Sequence, residues 1–234
     1  MPIEAVIFDW GGTLSVYADV ELADMWRMAA RSLHVDREDE ICERLVQIET
    51  QSWERVHTDQ QATNLSQLLR QASQELGLDV EHVVLDKAAT AHLDAWTPHI
   101  QHDPDARPVL ADIRSRGLRV GLLSNTHWPR PFHQHFLDRD GLADLFDATV
   151  YTSELARTKP HPEAFKAVLG ALDVYDARNA VFVGDRPYDD IWGAARLGML
   201  TVLRPNPRVE DWPEARPDEV VTSLPAVLDF LDDF

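Results

Sequence analysis

The chain has 234 residues, and its apolar fraction of 44% and charged fraction of 26% are typical of a globular protein with a sizeable core. The formal net charge of −18 argues against a nucleic acid or an anionic membrane as partner, because such a surface repels phosphates. The sequence also lacks the apolar run of roughly 18 residues that a membrane span needs.

The N-terminal segment MPIEAVIFDW predicts a buried strand at residues 3–8. It does not resemble a signal peptide, because it has no basic region followed by a long apolar region. Cys42 is the single cysteine, so the chain cannot form an internal disulfide. These features favour a reducing compartment, and we expect a cytoplasmic protein. The sequence does not indicate an oligomeric state.

Between the first strand and residue 96, apolar residues recur at helical spacing in four stretches, and no strand pattern interrupts them. Gly77 is placed to end the third helix. We therefore predict that residues 16–96 form an all-helical cap domain inserted after the first strand. The four stretches contain Leu22, Met25, Trp26, Ala29, Ala30 and Leu33; Ile41, Leu45, Ile48 and Val56; Leu65, Leu68, Leu69, Ala72 and Leu76; and Val80, Val84, Ala91 and Ala95.

Three prolines between residues 97 and 108 indicate a linker, after which predicted strands and helices alternate. Alternation of this kind is typical of a parallel sheet with helices on both faces. The predicted fold is therefore an α/β, Rossmann-like parallel-sheet core, formed by residues 1–15 and 97–234, with the helical cap inserted. The later strands are predicted at 119–123, 148–151, 180–183, 200–203 and 219–221, and the helices at 109–116, 163–172, 189–197 and 225–231.

Polar residues follow the first four predicted strands. Because ligands of open α/β sheets bind outside the carboxyl ends of the strands, we expect these residues to meet at one edge. A carboxylate there can attack phosphorus or carbon and form a covalent intermediate. Several carboxylates together favour a hard cation such as Mg²⁺, which with a lysine neutralises a transferring phosphoryl group. In chain order the residues are Asp9; Ser124 and Asn125; Lys159; and Asp185, Asp189 and Asp190.

Four segments resemble, in order, the four sequence motifs of the haloacid dehalogenase superfamily. The resemblance covers residues 3–14 and about 105–234, and the helical insert lies where members with a helical cap carry it. It implies the fold of that superfamily with Mg²⁺ as cofactor. The segments are Phe8-Asp9-Trp10-Gly11-Gly12-Thr13-Leu14; Ser124-Asn125; Arg157-Thr158-Lys159-Pro160; and Gly184-Asp185 with Asp189-Asp190-Ile191.

The resemblance also implies roles for individual residues. We expect a phosphatase that acts on a small phosphorylated metabolite through an aspartyl-phosphate intermediate. The resemblance makes Asp9 and Lys159 catalytic; Gly12, Ser124 and Asn125 substrate-binding; and Asp9, the backbone carbonyl of Gly11, Asp185 and Asp190 metal ligands, with Asp189 as the alternative to Asp190.

One position departs from the family pattern. Phosphatases of this family usually have a second aspartate two residues after the nucleophile, and here that residue is Gly11. The aspartate protonates the leaving oxygen, and such general acid–base catalysis contributes roughly 10²–10⁴-fold. Three interpretations stay open: a leaving group that needs no proton, such as an acyl phosphate, an aryl phosphate or a halide; an acid from elsewhere, such as a cap residue or His127; or little turnover.

Gly11 also leaves other reactions open. Dehalogenase relatives lack the second aspartate too, and usually have a tyrosine there and an arginine just inside the cap, for which Arg27 and Arg31 are the candidates. Phosphonate-cleaving relatives use a cap lysine, but the insert has only Lys87, far along it. A non-catalytic, metal-binding relative is the alternative from a different class. The four charged residues of the motifs argue against it, because a protein without catalytic function does not need them together at one edge of the sheet. They are Asp9, Lys159, Asp185 and Asp190.

Overall fold

The computed structural model describes residues 2–234, so Met1, at the start of the predicted core, lies outside the described residues. Within this range six parallel strands form one sheet in the order β3-β2-β1-β4-β5-β6. The strands are β1 (Ala5–Phe8), β2 (Arg119–Ser124), β3 (Ala148–Tyr151), β4 (Ala180–Gly184), β5 (Leu200–Leu203) and β6 (Glu219–Val220).

Helices lie between most of these strands, and one helix follows the last strand. No helix within residues 2–234 has the length and apolar character that crossing a membrane requires. The helices are α1 (Leu22–Leu33), α2 (Glu38–Glu54), α3 (Leu65–Glu75), α4 (His82–Trp96), α5 (Ala106–Ser115), α6 (Arg130–Arg139), α7 (Pro162–Ala171), a π-helix (Pro187–Trp192) that continues into the short α8 (Gly193–Ala195), and α9 (Ala226–Leu231).

Strand β1 lies at the centre of the sheet because its four apolar residues are all buried. Its alternate side chains enter two different hydrophobic clusters, with Val6 and Phe8 on one face of the sheet and Ala5 and Ile7 on the other. Phe8 pairs with Leu122 of β2 and with Val183 of β4. This register brings the residues that follow the three strands together at one edge, as the sequence predicts.

Helices α1–α4 correspond to the four predicted helices of residues 16–96. They share a hydrophobic cluster of their own, which includes Trp26, Ile41 and Leu68 and is separate from the clusters on the sheet faces. Helix α3 begins at a capping box, in which Asn64 and Gln67 each accept the other's backbone N–H. A separate core is what an independent cap would have, and the division into two domains stays a prediction.

The two chain segments that connect these helices to the sheet run side by side. The backbone N–H of Val16 donates to the carbonyl of Gln101 at 2.8 Å, and that of Asp103 donates to Leu14 at 2.9 Å. Between them, Ser15 forms an antiparallel bridge with His102. The helical insert therefore leaves and rejoins the sheet at one place, a few residues after the carboxyl end of β1.

Two elements differ from the sequence-based expectation. Helix α6 was not predicted, because most of its residues are polar or charged and its buried face combines three apolar residues with His133. The predicted helix 189–197 is instead a π-helix followed by a single α-helical turn. The wider π turn buries both Asp189 and Asp190, a local distortion that is frequent at functional sites.

Candidate active site

Asp9 and Lys159 form a buried ion pair at the carboxyl edge of the sheet. The Nζ atom of Lys159 lies 2.6 Å from Oδ1 of Asp9 and 2.7 Å from Oδ1 of Asp190, and it donates to the carbonyl of Leu123 at 2.9 Å. Lys159 is fully buried and Asp9 is 5% exposed. Burial lowers the pKa of Lys159, but the two carboxylates outweigh this effect and hold the pKa above its ordinary value. The ammonium is therefore charged at neutral pH.

Asn125 fixes the main chain of Lys159. Its Oδ1 accepts the Lys159 N–H at 2.9 Å, and its Nδ2 donates to the Lys159 carbonyl at 3.0 Å. Ser124, the last residue of β2, and Asn125 both line the cavity beside Asp9. Because both polar atoms of the amide bind Lys159, the structure gives Asn125 a supporting role, and direct substrate contact by Asn125 stays a prediction.

Three carboxylates meet next to this ion pair. Asp9, Asp185 and Asp190 each place an oxygen within 4.8 Å of the others, and all three are buried. Oδ2 of Asp185 accepts a hydrogen bond from Nδ2 of Asn206 at 2.8 Å, whereas its buried Oδ1 has no partner. Burial, reinforced by the negative charges of Asp9 and Asp190, raises the pKa of Asp185 to about 7. An unpartnered, destabilised carboxylate of this kind indicates a place for a positive charge.

Asp190, and not its neighbour Asp189, belongs to this group. Oδ2 of Asp190 accepts the backbone N–H of Arg186 at 3.0 Å. Asp189 instead lines the cavity, with its Oδ2 3.8 Å from the guanidinium of Arg186. Burial raises the pKa of Asp189 to about 7, although Arg186 opposes the shift. Sequence reasoning missed Arg186 as a cavity residue, and its position directly after Asp185 was the available signal.

The charges at this edge do not balance. Four carboxylates face the two cations Lys159 and Arg186, which leaves a formal excess of two negative charges that one divalent cation would neutralise. The carboxylates are those of Asp9, Asp185, Asp189 and Asp190. The donors are oxygen atoms, which hard cations such as Mg²⁺ prefer. With the unpartnered oxygen of Asp185, this donor set fits the magnesium ion that the sequence predicts.

The glycines of the site differ in what surrounds them. A Cβ atom at Gly12, which has a φ of +82°, would overlap Oδ2 of Asp185. Nothing lies within 4 Å of a Cβ atom built on Gly11. Gly12 is therefore required by the close approach of Asp185, whereas the space beside Gly11 can accept a side chain.

A cavity of about 540 Å³ opens onto Asp9, within the size range of small-molecule sites. Its walls come from both the sheet edge and the helical insert, and much of the lining is aromatic. The lining includes Asp9, Trp10, Gly11, Gly12, Ser124, Asn125, Trp128 and Arg186 from the sheet side, and Glu49, Trp53 and Trp96 from the insert.

Glu49 is a cavity residue that sequence reasoning missed. Its Oε2 accepts a hydrogen bond from Nε1 of Trp26 at 2.6 Å, and its Oε1 lies 3.7 Å from Nδ1 of His127. Burial raises the pKa of Glu49, but the nearby imidazole of His127 outweighs it and lowers the pKa below its ordinary value. The sequence carried a signal, because Glu49 follows Leu45 by four residues and so places a carboxylate on the apolar face of α2.

His127 faces the insert. Its Nε2 lies 3.2 Å from Oγ of Ser52, its ring stacks on Trp53 with centroids 4.0 Å apart, and its carbonyl accepts the N–H of Leu65. With Nδ1 near Glu49, both ring nitrogens are directed at residues of α2. His127 therefore joins the insert to the sheet, and the geometry gives no support to it as the missing acid.

The residues considered for other reactions lie away from the cavity. The guanidinium of Arg27 is 3.0 Å from Asp39, and that of Arg31 is 3.9 Å from Glu38, on the exposed side of α1. Lys87 is also exposed. None of the three lines the cavity around Asp9.

Comparison with known proteins agrees with this geometry. The family of haloacid dehalogenase-like hydrolases matches residues 3–198. The glyceraldehyde 3-phosphate phosphatase of Methanopyrus kandleri is 28% identical over 220 residues, which are 93% of this chain and 91% of that protein. The enzyme of the same name from Pyrococcus abyssi is 36% identical over 104 residues, which are 44% of this chain and only 42% of that protein.

Solved structures show the same fold over nearly the whole chain. The 2-haloacid dehalogenase from Pseudomonas syringae pv. Tomato DC3000 superimposes with a TM-score of 0.70 at 24% identity, covering 99% of both chains. The HAD phosphatase from Thermococcus onnurineus gives a TM-score of 0.66 at 22% identity, covering 98% of both. At these identities the likeness concerns the fold alone. The family match covers most of the sequence, and the chain belongs to the haloacid dehalogenase-like hydrolase family.

Proposed function

We propose that this protein is a Mg²⁺-dependent phosphatase that hydrolyses small phosphorylated molecules through a covalent intermediate on Asp9. One observation carries the proposal: the buried ammonium of Lys159 holds Asp9 at the wall of the cavity, next to carboxylates whose negative charge the protein's own cations do not neutralise. The phosphatase names of the similar proteins support the same reaction class.

The roles of the side chains follow from their contacts. Lys159 holds Oδ1 of Asp9, so we assign Oδ2 as the oxygen that attacks phosphorus. The bond from phosphorus to the leaving oxygen breaks, and the leaving group departs with its electron pair. Water then attacks the aspartyl phosphate, releases inorganic phosphate and restores the carboxylate. Ser124 and Arg186, which line the cavity, are assigned to the phosphoryl oxygens, together with backbone N–H groups near Gly12.

The magnesium ion would be held by oxygens of Asp9 and Asp185 and by the carbonyl of Gly11. We assign Asp190 to a contact through water, because Lys159 and the Arg186 N–H already engage its oxygens. When bound, Mg²⁺ supplies positive charge that stabilises the negative charge of the transferring phosphoryl group.

A haloacid dehalogenase is the second candidate function. It is favoured by Gly11, because a departing halide needs no proton. Two features rank it lower. The excess negative charge around Asp9 would repel the carboxylate of a haloacid, and the candidate arginines Arg27 and Arg31 lie outside the cavity.

The test is phosphate release with and without Mg²⁺. The substrates are an activated aryl phosphate, acetyl phosphate and three aliphatic phosphates: glyceraldehyde 3-phosphate, phosphoglycolate and phosphoserine. We expect release that EDTA abolishes and that Asp9→Asn lowers by roughly 10³-fold or more. Asp138→Asn, on the exposed face of α6, is the matched control and should retain the wild-type rate.

Calorimetric titration with Mg²⁺ provides a readout that does not depend on turnover. Wild type should bind the ion, and Asp185→Asn should bind it more weakly by at least tenfold. The proposal fails if no phosphate is released from any substrate, or if release persists in Asp9→Asn. Halide release from 2-haloacids without phosphatase activity would establish the second candidate instead.

A further inference from the structure

Three tryptophan side chains meet in the cavity wall beside the nucleophile. Trp10 follows Asp9 directly, Trp128 lies four residues after Ser124, and Trp96 ends α4. The ring centroids of Trp96 and Trp128 are 5.0 Å apart, and those of Trp10 and Trp128 are 6.1 Å apart. The three rings therefore form one continuous surface, here named the indole wall.

Two of the three tryptophans of the indole wall are open to the cavity, whereas Trp10 is only 5% exposed. Trp96 and Trp128 are only half-buried, although both also pack against the hydrophobic cluster on that face of the sheet. At the same cavity, Val16 and Tyr17 leave about half of their surface exposed, at 53% and 48%. Apolar surface left open inside a pocket is where an apolar part of a ligand binds, and flat indole faces favour a flat, aromatic group.

Gly11 lies in the same cavity, at the position from which phosphatases of the family protonate the leaving oxygen. It provides no proton, and open space surrounds the place where a side chain would begin. On the insert side of the cavity, Glu49 accepts a hydrogen bond from Trp26, and the His127 ring is directed at Glu49 and Ser52. Because Gly11 supplies no proton to the leaving group, the site favours a substrate whose leaving oxygen is weakly basic.

We infer that the substrate is an aryl phosphate, whose ring lies against the indole wall and whose phenolate leaves unprotonated. This inference rests on the proposed phosphatase function and specifies its substrate class. A carboxylate oxygen of Asp9 forms a bond to phosphorus while the aryl oxygen–phosphorus bond breaks, and the electron pair stays on the phenolate oxygen. A phenol ionises near pH 10 and water only near 15.7, so a phenolate leaves far more readily than an alkoxide. The phenolate then takes a proton from solvent, and water releases phosphate from Asp9.

Four phosphate substrates distinguish the effect of an aromatic ring from the effect of an acidic leaving group. Phenyl phosphate has both, benzyl phosphate has a ring on an alkoxide leaving group, acetyl phosphate has an acidic leaving group without a ring, and ethyl phosphate has neither. Wild type should give a kcat/KM for phenyl phosphate at least 100-fold above that for benzyl phosphate. Phenyl phosphate should also exceed acetyl phosphate through a lower KM. In Gly11→Asp, benzyl phosphate should gain at least tenfold more than phenyl phosphate does, because the new carboxyl supplies the proton.

The indole wall is tested by Trp96→Leu and Trp128→Leu. Each should lower the ratio of kcat/KM for phenyl phosphate to that for acetyl phosphate by about three- to tenfold, mainly through KM. Trp96→Phe keeps an aromatic ring and should restore most of the ratio. Trp212→Leu, a half-buried tryptophan outside the cavity, is the matched control. Thermal unfolding of each variant establishes that the protein is folded.

The outcomes distinguish this inference from the function on which it rests. If wild type hydrolyses ethyl, benzyl or glyceraldehyde 3-phosphate as well as phenyl phosphate, the aryl substrate class is wrong and the phosphatase function stands. Unchanged phenyl-to-acetyl ratios in both Trp→Leu variants would equally overturn it. If none of the phosphates, acetyl phosphate included, is hydrolysed with Mg²⁺, the phosphatase function itself is wrong.

Discussion

Both polar atoms of the Asn125 side chain bind the main chain of Lys159, one as acceptor of its N–H at 2.9 Å and one as donor to its carbonyl at 3.0 Å. Asn125 follows directly on β2, the strand beside β1, and Asp9 follows directly on β1. The lysine that pairs with Asp9 is thus held by the neighbouring strand end, although 34 residues separate it from Asn125. The ion pair depends on this support because Lys159 itself lies in a loop after β3.

Asn125→Ala should therefore lower activity through Lys159. Losing both hydrogen bonds frees the lysine main chain, and a displacement of about 1 Å near a reacting centre costs on the order of 10²-fold. We expect kcat to fall by about tenfold to hundredfold with a smaller change in KM. Asn179→Ala, whose amide contacts Glu4 at the other end of the sheet, is the control. A rise in KM at constant kcat would instead show that Asn125 contacts the substrate directly.

Lys159→Met should destabilise the fold as well as inactivate the site. The substitution leaves Asp9 and Asp190 buried without their cation, and breaking a buried ion pair on one side costs about 3–5 kcal/mol. Urea unfolding monitored by tryptophan fluorescence measures this loss. Lys166→Met, on the exposed side of α7, should change the free energy of unfolding by less than about 0.5 kcal/mol. A loss below about 1 kcal/mol in Lys159→Met would mean that water or a neighbouring group replaces the ammonium.

The sequence predicted the sheet well because its strands are apolar runs with polar or glycine boundaries. The strands at 148–151 and 200–203 coincide with β3 and β5, and Asp9 follows its strand directly. Helix α6 was missed because its buried face has only three apolar residues and one histidine, which is too short a pattern to predict a helix. The π-helix was missed because it depends on how Asp189 and Asp190 pack in the folded site, which has no periodic signature.

The candidate site was predictable only as far as strand ends determine it. The carboxyl edge of a parallel sheet brings Asp9, Ser124 and Asp185 together whatever the rest of the chain does. The partners of Asn125 and the contribution of Glu49 depend on how distant segments pack, with the insert folded over the edge. Local sequence patterns do not predict such long-range contacts. The sequence therefore predicted Asn125 as a substrate ligand and gave no functional role to Glu49.

Gly12 and Gly11 provide a matched pair for a stability measurement. Gly12→Ala places a Cβ atom against Oδ2 of Asp185 in a backbone conformation with φ of +82°. The strain and the clash should together cost about 2–4 kcal/mol. Gly11→Ala meets nothing within 4 Å and should shift the free energy of unfolding by less than about 0.5 kcal/mol. Equal destabilisation by the two substitutions would contradict the close approach of Asp185 to Gly12.

The buried imidazole of His92 links stability to pH. Its ring stacks on Trp26 with centroids 3.7 Å apart, and its Nδ1–H donates to the carbonyl of Met25 at 3.2 Å. Burial lowers the pKa of His92 to about 4, although Glu49 opposes the shift. The imidazole is therefore neutral in the folded protein at every pH above about 4, whereas it takes up a proton near pH 6.5 once the chain unfolds.

This difference predicts that stability falls as the pH is lowered. Between pH 6.5 and 4 the unfolded chain binds more protons than the folded one, so the free energy of unfolding decreases on acidification. From pH 7 to pH 5, His92 should contribute a loss of about 2 kcal/mol. His92→Phe keeps a ring against Trp26 but cannot titrate. The free energy of unfolding, measured with urea at pH 7 and pH 5, should therefore differ less in His92→Phe than in wild type, by about 2 kcal/mol. His82→Phe changes an exposed histidine on the same helix and should retain the wild-type difference. An equal pH effect in His92→Phe and wild type would mean that His92 becomes protonated without unfolding, and that its burial is less complete than the packing against Trp26 indicates.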